Sequence, residues 1–434
     1  MQIIMLSPDA QMIDRRILQE ASSLQRNGHH VTVLSGFECA QPDAYEQPDG
    51  VVVKRYAFDW TDLRKVRTLK RWGRLGRFVW PFQRVAAKVF GTLTAYETFV
   101  VDKALEHEFD VVHVHDFPML KVAATVAQLR RVPLIYDSHE FYPVQSCFTP
   151  QQQRKFLALE RALIKRCRRV ITVNPYIARM IAKEHDVTEP MVILNASPLP
   201  ADDQRDVAIS PDARRAAREK YGLPKDAFIF VYQGWISAER NLEAMLHAFR
   251  DVAAPAMLLV IGYGEHVKVL QALADKLELN DRVIFYGRVE SDQLADLTEL
   301  CDVGVIPYAA VDEMHRYCSP NKLFEFVAAR LPIIASDLPY LRDVVDGYKI
   351  GWLCDTTAPD VLARTMTEAL TDSQAINTAQ HNLLNARSNL NWSVEERKLL
   401  ELYTELGRNP GAQLQPSRKQ PPNMALIHND TLDD

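Results

Sequence analysis

The sequence lacks paired cysteines and long apolar runs, and both absences narrow the class of protein. Its six cysteines are scattered along 434 residues with no C-x-x-C pair, which disfavours a zinc knuckle or a disulfide framework. Scattered cysteines are typical of reduced thiols in a cytosolic protein. No stretch approaches the ~18 apolar residues that a membrane-spanning helix needs. The first ten residues, MQIIMLSPDA, contain no basic segment of a signal peptide, so we expect a cytoplasmic location.

Further absences concern nucleotide and metal binding. The turn after the first apolar run, residues 7–11, is SPDAQ, whereas a dinucleotide site needs G-x-G-x-x-G at this point. No Walker lysine loop occurs in the chain. There is also no Asp-x-Asp pair that could clamp a metal ion and a diphosphate, and the spacing of histidines and carboxylates indicates no metal site. Dehydrogenase and P-loop chemistry are therefore not predicted.

What the sequence does contain is an alternation of short apolar runs and helical patterns, in two series. In the first series the predicted strands are residues 1–6, 30–35, 111–115, 134–136, 170–173 and 191–194, with a helix over 14–27. In the second series they are residues 228–233, 257–261, 282–286, 303–307 and 331–335. Strands that are apolar throughout and alternate with helices predict parallel sheets covered on both faces.

The two series predict an α/β protein with two Rossmann-like, doubly wound parallel-sheet domains that face a central cleft. Residues 1–197 form the predicted N-terminal domain and residues 212–390 the predicted C-terminal domain. Between them, residues 198–211 are rich in Pro, Asp and Ala and are predicted to be a linker. A last helix is predicted over 391–408, and the polar tail 409–434 is predicted to be disordered.

The most informative stretch runs from residue 318 to residue 337, CSPNKLFEFVAARLPIIASD. Its pattern indicates a loop followed directly by a helix, with the carboxylate of Glu325 inside that helix and a buried strand after it. A helix start suits a phosphate, and a carboxylate beside it can accept hydrogen bonds from a ribose. An ordinary αβ unit with a solvated glutamate has the same spacing. The letters themselves favour the first reading, because they closely resemble the nucleotide-sugar signature of retaining glycosyltransferases of family 4, which have the GT-B fold.

The resemblance implies a set of donor-binding residues in the second domain. The segment GWISAERN, residues 234–241, is similar to the family's G-R-x-x-x-x-K-G diphosphate loop, with Arg240 in the lysine place and Trp235 in place of the usual arginine. Lys322 is expected to supply the second positive charge. Glu325 matches the second glutamate of the family's E-x7-E, and Tyr317 stands where the first would be. The predicted donor-binding residues are Gly234, Arg240, Gly262, Gly264, Arg288, Ser319, Asn321, Lys322, Leu323 and Glu325.

The first domain carries two runs that resemble acceptor-side motifs of the family. They are DVVHVHD, residues 110–116, and YDSHEFYP, residues 136–143. Side chains alternate along a strand, so His113 and His115 are predicted to share one side, and core histidines remain an alternative. The predicted catalytic residues are His115, Asp116, Arg240 and Lys322. The predicted acceptor-binding residues are His115, Asp137, His139 and Glu140.

A basic run, Arg64–Lys88, contains nine basic residues and no acidic one. A solvated face explains it, and so does an interfacial helix on an anionic membrane; binding of nucleic acid is not predicted. The family implies that the last helix packs back on the N-terminal domain, and that no metal or other cofactor is required.

The prediction is a retaining, metal-independent glycosyltransferase that moves a sugar from a nucleotide-diphospho-sugar to a glycan or lipid-linked acceptor at the cytoplasmic membrane face. One alternative is a GT-B nucleotide-sugar epimerase or inverting transferase. Another is a non-catalytic partner subunit that has kept the fold, which the residues at positions 235 and 317 would favour.

Overall fold

A computed structural model describes residues 1–8, 13–35, 43–58, 93–199 and 210–408. The basic run 64–88, the tail 409–434 and most of the predicted linker lie outside these residues. The described chain divides into two compact units. One holds the residues up to Ile193 and those from Glu396 onward, and the other holds Leu194–Glu395. Within the described ranges, no helix combines the length and apolar character needed to cross a bilayer.

The N-terminal unit is built on an eight-stranded sheet with the strand order β3-β4-β2-β1-β5-β6-β7-β8. The strands are β1 (Gln2–Leu6), β2 (His30–Ser35), β3 (Asp43–Glu46), β4 (Val52–Arg55), β5 (Val111–His115), β6 (Leu134–Ser138), β7 (Arg169–Thr172) and β8 (Met191–Val192). Every pairing is parallel except that of β3 with β4. All parallel strands except β4 were predicted. Strands β3 and β4 were not predicted, because neither carries a fully apolar run.

Helices cover this sheet, and the central strands are buried along their whole length. The helices are α1 (Arg15–Arg26), α2 (Ala95–Leu105), α3 (Phe117–Arg130), α4 (Pro150–Ile164), α5 (Pro175–His185) and the end of α15 (Trp392–Arg408). Several begin at side chains that accept hydrogen bonds from first-turn amides. Thr94 and Glu97, for example, form a reciprocal capping box at the start of α2.

The C-terminal unit has a six-stranded, wholly parallel sheet with the order β11-β10-β9-β12-β13-β14. Its strands are β9 (Phe228–Trp235), β10 (Ala256–Tyr263), β11 (Val283–Gly287), β12 (Val303–Ile306), β13 (Ile333–Ser336) and β14 (Gly351–Cys354). The last strand, β14, was not predicted from the sequence. Its short pattern, GWLC, has no clear period of its own.

The helices of this unit are α6 (Pro211–Lys220), α7 (Leu242–Arg250), α8 (Val267–Lys276), α9 (Ser291–Glu299), α10 (Glu313–Arg316), α11 (Asn321–Ala328), α12 (Pro339–Tyr348), α13 (Pro359–Thr371) and α14 (Ser373–Asn389). A one-turn 3-10 helix, Ala238–Arg240, precedes α7. Helix α6 begins at Pro211, the last residue of the predicted linker.

Each sheet has a topological switch point, at which the strand order reverses direction between two neighbouring strands. In the first sheet it lies between β1 and β5, and in the second between β9 and β12. Open parallel sheets bind ligands outside the carboxyl ends of such strands. The predicted site residues follow these strand ends or the loops beside them, and the fold therefore confirms the prediction of two parallel-sheet α/β domains.

Candidate functional site

In the C-terminal unit, the ends of β9 and β10 and the residues just after them approach each other too closely for side chains. Gly262 and Gly264 have φ values of +144° and +157°. A Cβ atom would lie 1.9 Å from the Gly234 carbonyl oxygen at the first position and 2.1 Å from that of Ile236 at the second. Contact between the two loops is therefore sufficient to explain this predicted G-x-G turn, and the glycines shape the edge of the site whether or not a ligand touches them.

Two cations lie at the switch point of this sheet, and both contact one tyrosine. The Arg240 guanidinium carbon is 4.5 Å from the centre of the Tyr308 ring, and Lys322 Nζ is 4.7 Å from it. Lys322 also donates a hydrogen bond of 3.0 Å to the Tyr308 hydroxyl and lies 3.9 Å from the centre of the Tyr232 ring. A side chain at Gly234 would meet Lys322 Nζ at 3.5 Å, so this glycine borders the same cationic point.

Neither cation has an acidic partner within ion-pair distance among the described residues. Lys322 is 5% exposed, and burial together with the charge of Arg240 lowers its pKa well below the ordinary value. Desolvated, mutually repelling cations without a carboxylate favour the binding of an anion. Helix α11, whose positive dipole end adds to this potential, begins at Asn321 without a side-chain cap.

The rest of the predicted donor residues surround this point in different ways. Ser319 is half-buried and Asn321 is exposed, both at the start of α11, whereas the Leu323 side chain is fully buried in the core. Leu323 could therefore meet a ligand only through its backbone. Arg288 follows β11 and packs 5.1 Å from the centre of the Tyr263 ring. Trp235, which is 48% exposed, packs edge-on against the same ring.

Glu325 is held by a buried amide that the sequence analysis did not single out. The Gln233 side-chain nitrogen donates to Glu325 Oε2, and its oxygen accepts a hydrogen bond of 2.8 Å from the Thr298 hydroxyl. Gln233 and Thr298 are both 1% exposed. The contact with Thr298 orients the amide so that its nitrogen faces the carboxylate. A polar residue at the end of the apolar run FIFVYQ was the available signal in the sequence.

In the N-terminal unit, the predicted histidines are buried beneath the edge of the sheet. His113 and His115 are both 0% exposed, and their rings stack with centroids 4.5 Å apart. His113 Nδ1 lies 3.0 Å from the hydroxyl of Tyr403 in α15, and burial lowers the pKa of both imidazoles. The two histidines therefore lie on the same side of β5, as the alternation of side chains along a strand predicts. Full burial places His115 behind the surface that a substrate would touch.

Asp137, which was predicted to bind the acceptor, is fully buried and engaged by a cation. Arg16 donates hydrogen bonds of 2.8 and 3.2 Å to its two oxygens and a third, of 2.8 Å, to the Ile193 carbonyl. Despite burial, Arg16 and His139 hold the pKa of Asp137 well below its ordinary value. Asp137 therefore supports the site from below. The signal for Arg16 in the sequence was its place four residues before Glu20 on α1.

His139 and Asp116 are the partly exposed members of this cluster. His139 Nδ1 is 3.4 Å from Asp116 Oδ2, its Nε2 is 3.4 Å from Asp137 Oδ2, and its backbone N–H donates to Asp116 Oδ1 at 3.1 Å. Although burial opposes charge, these two carboxylates raise the pKa of His139 to about 10. A charged imidazole at the carboxyl ends of β5 and β6 can donate to a sugar oxygen, and Asp116 can accept from a hydroxyl. His139 Nε2 also lies 3.2 Å from His115 Nδ1, which links the predicted catalytic histidine to the surface.

The backbone of Asp116 adopts a conformation that non-glycine residues rarely adopt, with φ of 62° and ψ of 156°. Such strain costs about 1–3 kcal/mol and persists only where surrounding contacts enforce it. The Asp116 amide donates to the Asp137 carbonyl at 2.9 Å, and its carboxylate binds His139. Glu140, the remaining predicted acceptor residue, is half-buried and accepts a hydrogen bond from Gln145.

Four side chains of the cluster carry atoms that metal ions accept as ligands. Glu20, His113, His115 and Asp137 each offer one such atom, all within 4.8 Å of one another. Arg16 Nε, however, lies 2.8 Å from Asp137 and 3.1 Å from Glu20. A divalent cation placed among these donors would lie against the guanidinium, and the arginine already compensates the carboxylates. The donor set therefore does not fit a metal ion.

Comparison with known proteins gives a family match in each of the two units. The family described as glycosyl transferases group 1 matches residues 213–387, and the glycosyl transferase 4-like domain matches residues 13–195. A D-inositol 3-phosphate glycosyltransferase of Xylanimonas cellulosilytica is 24% identical over 319 residues, which is 68% of this chain and 72% of that protein. An alpha-monoglucosyldiacylglycerol synthase of Streptococcus pneumoniae is 22% identical over 271 residues, 60% of this chain and 59% of that protein.

Solved structures show the same fold. The crystal structure of Anabaena HepE in complex with UDP and glucose has a TM-score of 0.69 at 16% identity, covering 94% of this chain and all of that one. The two family matches lie in the two parallel-sheet units and together include every predicted site residue. The chain therefore belongs to the group 1 glycosyltransferases, has their GT-B fold, and is a glycosyltransferase.

Proposed function

We propose that this glycosyltransferase uses a nucleotide-diphospho-sugar, binds its diphosphate at Arg240 and Lys322, and transfers the sugar with retention and without a metal ion. One observation carries the proposal. Two neighbouring cations at the switch point of the C-terminal sheet have aromatic partners but no carboxylate within ion-pair distance among the described residues. A diphosphate supplies the missing negative charge, and charge-assisted hydrogen bonds contribute about 1.5–3 kcal/mol each.

In this proposal the C-terminal unit stabilises the leaving group. Negative charge builds on the diphosphate as the bond to the sugar breaks, and the guanidinium, the ammonium and the start of α11 lie where they can stabilise it. These fixed cations supply the charge that a bound metal would otherwise supply. Glu325, held by Gln233, accepts hydrogen bonds from the ribose hydroxyls. The proton of the acceptor hydroxyl passes to the leaving diphosphate on the same face of the sugar.

The N-terminal unit orients the acceptor through its partly exposed residues. The cationic His139 donates to a sugar oxygen, and Asp116 accepts from a hydroxyl of the acceptor. His115 acts behind them, because it is fully buried and reaches the surface only through His139. The acceptor is proposed to be a glycan or a lipid-linked glycan at the cytoplasmic membrane face. The basic run 64–88 and a relative named for a diacylglycerol product support this choice.

A panel of UDP-, GDP- and TDP-sugars, offered with and without EDTA, tests donor use and the metal requirement. We expect turnover that survives EDTA and a product whose anomeric NMR coupling matches that of the donor. Arg240→Ala and Glu325→Ala should each lower kcat/KM at least tenfold. Arg364→Ala, at an exposed arginine of α13, is the matched control and should be silent. An inverted or epimerised product, or activity lost with the metal, would refute the mechanism.

The membrane part of the proposal is tested separately. Changing Arg67, Lys70, Arg71, Arg74 and Arg77 to Gln removes five charges from the basic run. Each basic residue near an anionic surface is worth about 1 kcal/mol, so sedimentation with phosphatidylglycerol vesicles should fall strongly while neutral vesicles bind neither protein. Equal sedimentation of the two proteins would end the membrane assignment and leave the transferase assignment intact.

A further inference from the structure

Tyr308 lies where two cations converge, and the established motifs of the chain give it no role. It follows β12 at the switch point and is 6% exposed. Its ring is within 5 Å of both the Arg240 guanidinium and Lys322 Nζ, and its hydroxyl is 3.0 Å from the latter. The centre of the Tyr232 ring, in β9, lies 3.9 Å from Lys322 Nζ. The two tyrosines therefore surround Lys322, and one of them also contacts Arg240.

The choice of aromatic partners has a chemical consequence. Cations of equal sign repel each other, and proteins ordinarily hold such a pair in place with a carboxylate. A carboxylate here would neutralise the site and repel a phosphate. The face of an aromatic ring attracts a cation through its quadrupole and carries no net charge. The ring of Tyr308 thus contacts both groups without adding a negative charge that would compete with an anion.

We propose that Tyr308 is a positioning residue that sets Arg240 and Lys322 for a diphosphate, and so makes the enzyme prefer nucleoside diphosphates to monophosphates. The inference rests on the proposed function of the same site. The two cations come from different loops, after β9 and at the start of α11. Tyr308 is in contact with both groups and therefore links the two segments at the point where their charges meet.

The buried position of Lys322 supports this role. Burial and the charge of Arg240 lower the pKa of Lys322, and an arriving diphosphate opposes both effects. Binding of a diphosphate should therefore draw a proton to the lysine, and a monophosphate, with less charge at this point, should draw less. The hydroxyl of Tyr308 serves either state, because it can accept from an ammonium or donate to a neutral amine.

Calorimetric titrations with UDP, UMP, GDP, GMP, TDP and TMP test the inference on wild type, Tyr308→Phe and Tyr308→Leu. We expect wild type to prefer the diphosphate of one pair. Tyr308→Leu should lose about tenfold of that preference and Tyr308→Phe about two- to fivefold, because the ring remains and only the hydroxyl is lost. Monophosphate affinity should change less than diphosphate affinity. Tyr176→Leu, which removes a ring 4.6 Å from Arg179 in the other unit, is the matched control and should keep the preference.

The outcomes separate the two claims. If wild type binds none of the six nucleotides, the proposed function fails and the inference fails with it. If wild type prefers a diphosphate and both Tyr308 variants keep that preference, the inference fails and the proposed function stands. A purely structural role would lower thermal stability without changing the preference. Should the leucine variant fail to fold, the phenylalanine variant decides.

Discussion

The strained backbone of Asp116 allows a prediction in which the usual order of two substitutions is reversed. Asp116→Ala and Asp116→Gly both remove the carboxylate that contacts His139. They differ only in the backbone, which has φ of 62° and ψ of 156°, a region open to glycine. At an ordinary position glycine is less stable than alanine by about 0.4–1 kcal/mol, because it gains more freedom on unfolding.

At position 116 the balance should change sign. An L residue in this region costs about 1–3 kcal/mol, and glycine avoids that cost. Subtracting the entropic penalty of glycine leaves Asp116→Gly more stable than Asp116→Ala by about 1 kcal/mol, with a range from about zero to about 2.6 kcal/mol. Both variants should lose activity, since the proposed contact with the acceptor is absent from each.

Urea denaturation followed by circular dichroism and tryptophan fluorescence measures this difference as a shift in midpoint at constant slope. Thr378, exposed in the middle of α14, provides the control pair. There Thr378→Ala should be the more stable variant by about 1 kcal/mol, because glycine is a poor helix former. If glycine is also the less stable residue at position 116, the argument from backbone strain is wrong.

Three further predictions concern other parts of the molecule. Thr298→Val should weaken binding of a ribonucleoside diphosphate several-fold in titration calorimetry, because the amide of Gln233 that orients Glu325 loses its hydrogen-bond partner. Binding of the 2′-deoxy analogue should change little, and Thr298→Ser should leave both nucleotides unaffected. Equal effects of Thr298→Val on both nucleotides would contradict this. Burial and the neighbouring Asp137 raise the pKa of Glu20 to about 8. The folded protein therefore holds a proton that the unfolded chain releases, and the stability of the wild type should fall relative to that of Glu20→Gln as pH rises from 4.5 to about 8. Urea midpoints of the two proteins that run parallel across this range would count against the prediction. Gly262→Ala should unfold or severely destabilise the C-terminal unit, because the new Cβ atom would clash with the Gly234 carbonyl oxygen. Gly222→Ala, at a φ of +69° with no atom near the new Cβ, should lower stability by only about 1 kcal/mol in thermal denaturation. Similar melting temperatures of the two variants would refute the clash.

Much of the fold could be predicted from the sequence, because its signals are local. Apolar runs of four to eight residues between helical patterns indicate buried parallel strands, and the run at 228–233 falls within β9 as observed. Strands with weaker local patterns were not predicted. Strand β14, with the sequence GWLC, is one of them, because it is defined by its pairing with β13 and not by a pattern of its own. The start of α11 likewise lies where its local motif placed it.

The candidate site was only partly predictable, because burial and pairing of polar residues depend on distant parts of the chain. Asp137 and Arg16 are 121 residues apart in sequence, and nothing near Asp137 indicates that its carboxylate is occupied. His113 meets Tyr403 across 290 residues. The sequence indicated polar groups at strand ends, but not which of them reach the surface.

By itself, the sequence determined the alternation of strands and helices, the two series of αβ units and the motif that begins α11, since backbone geometry and apolar periodicity act over a few residues. Only the tertiary structure decided that Arg16 neutralises Asp137, that His139 rather than His115 is partly exposed, and that Tyr308 contacts both Arg240 and Lys322. The order of strands in each sheet brings these groups together, and that order follows from the packing of the whole unit and from no single segment.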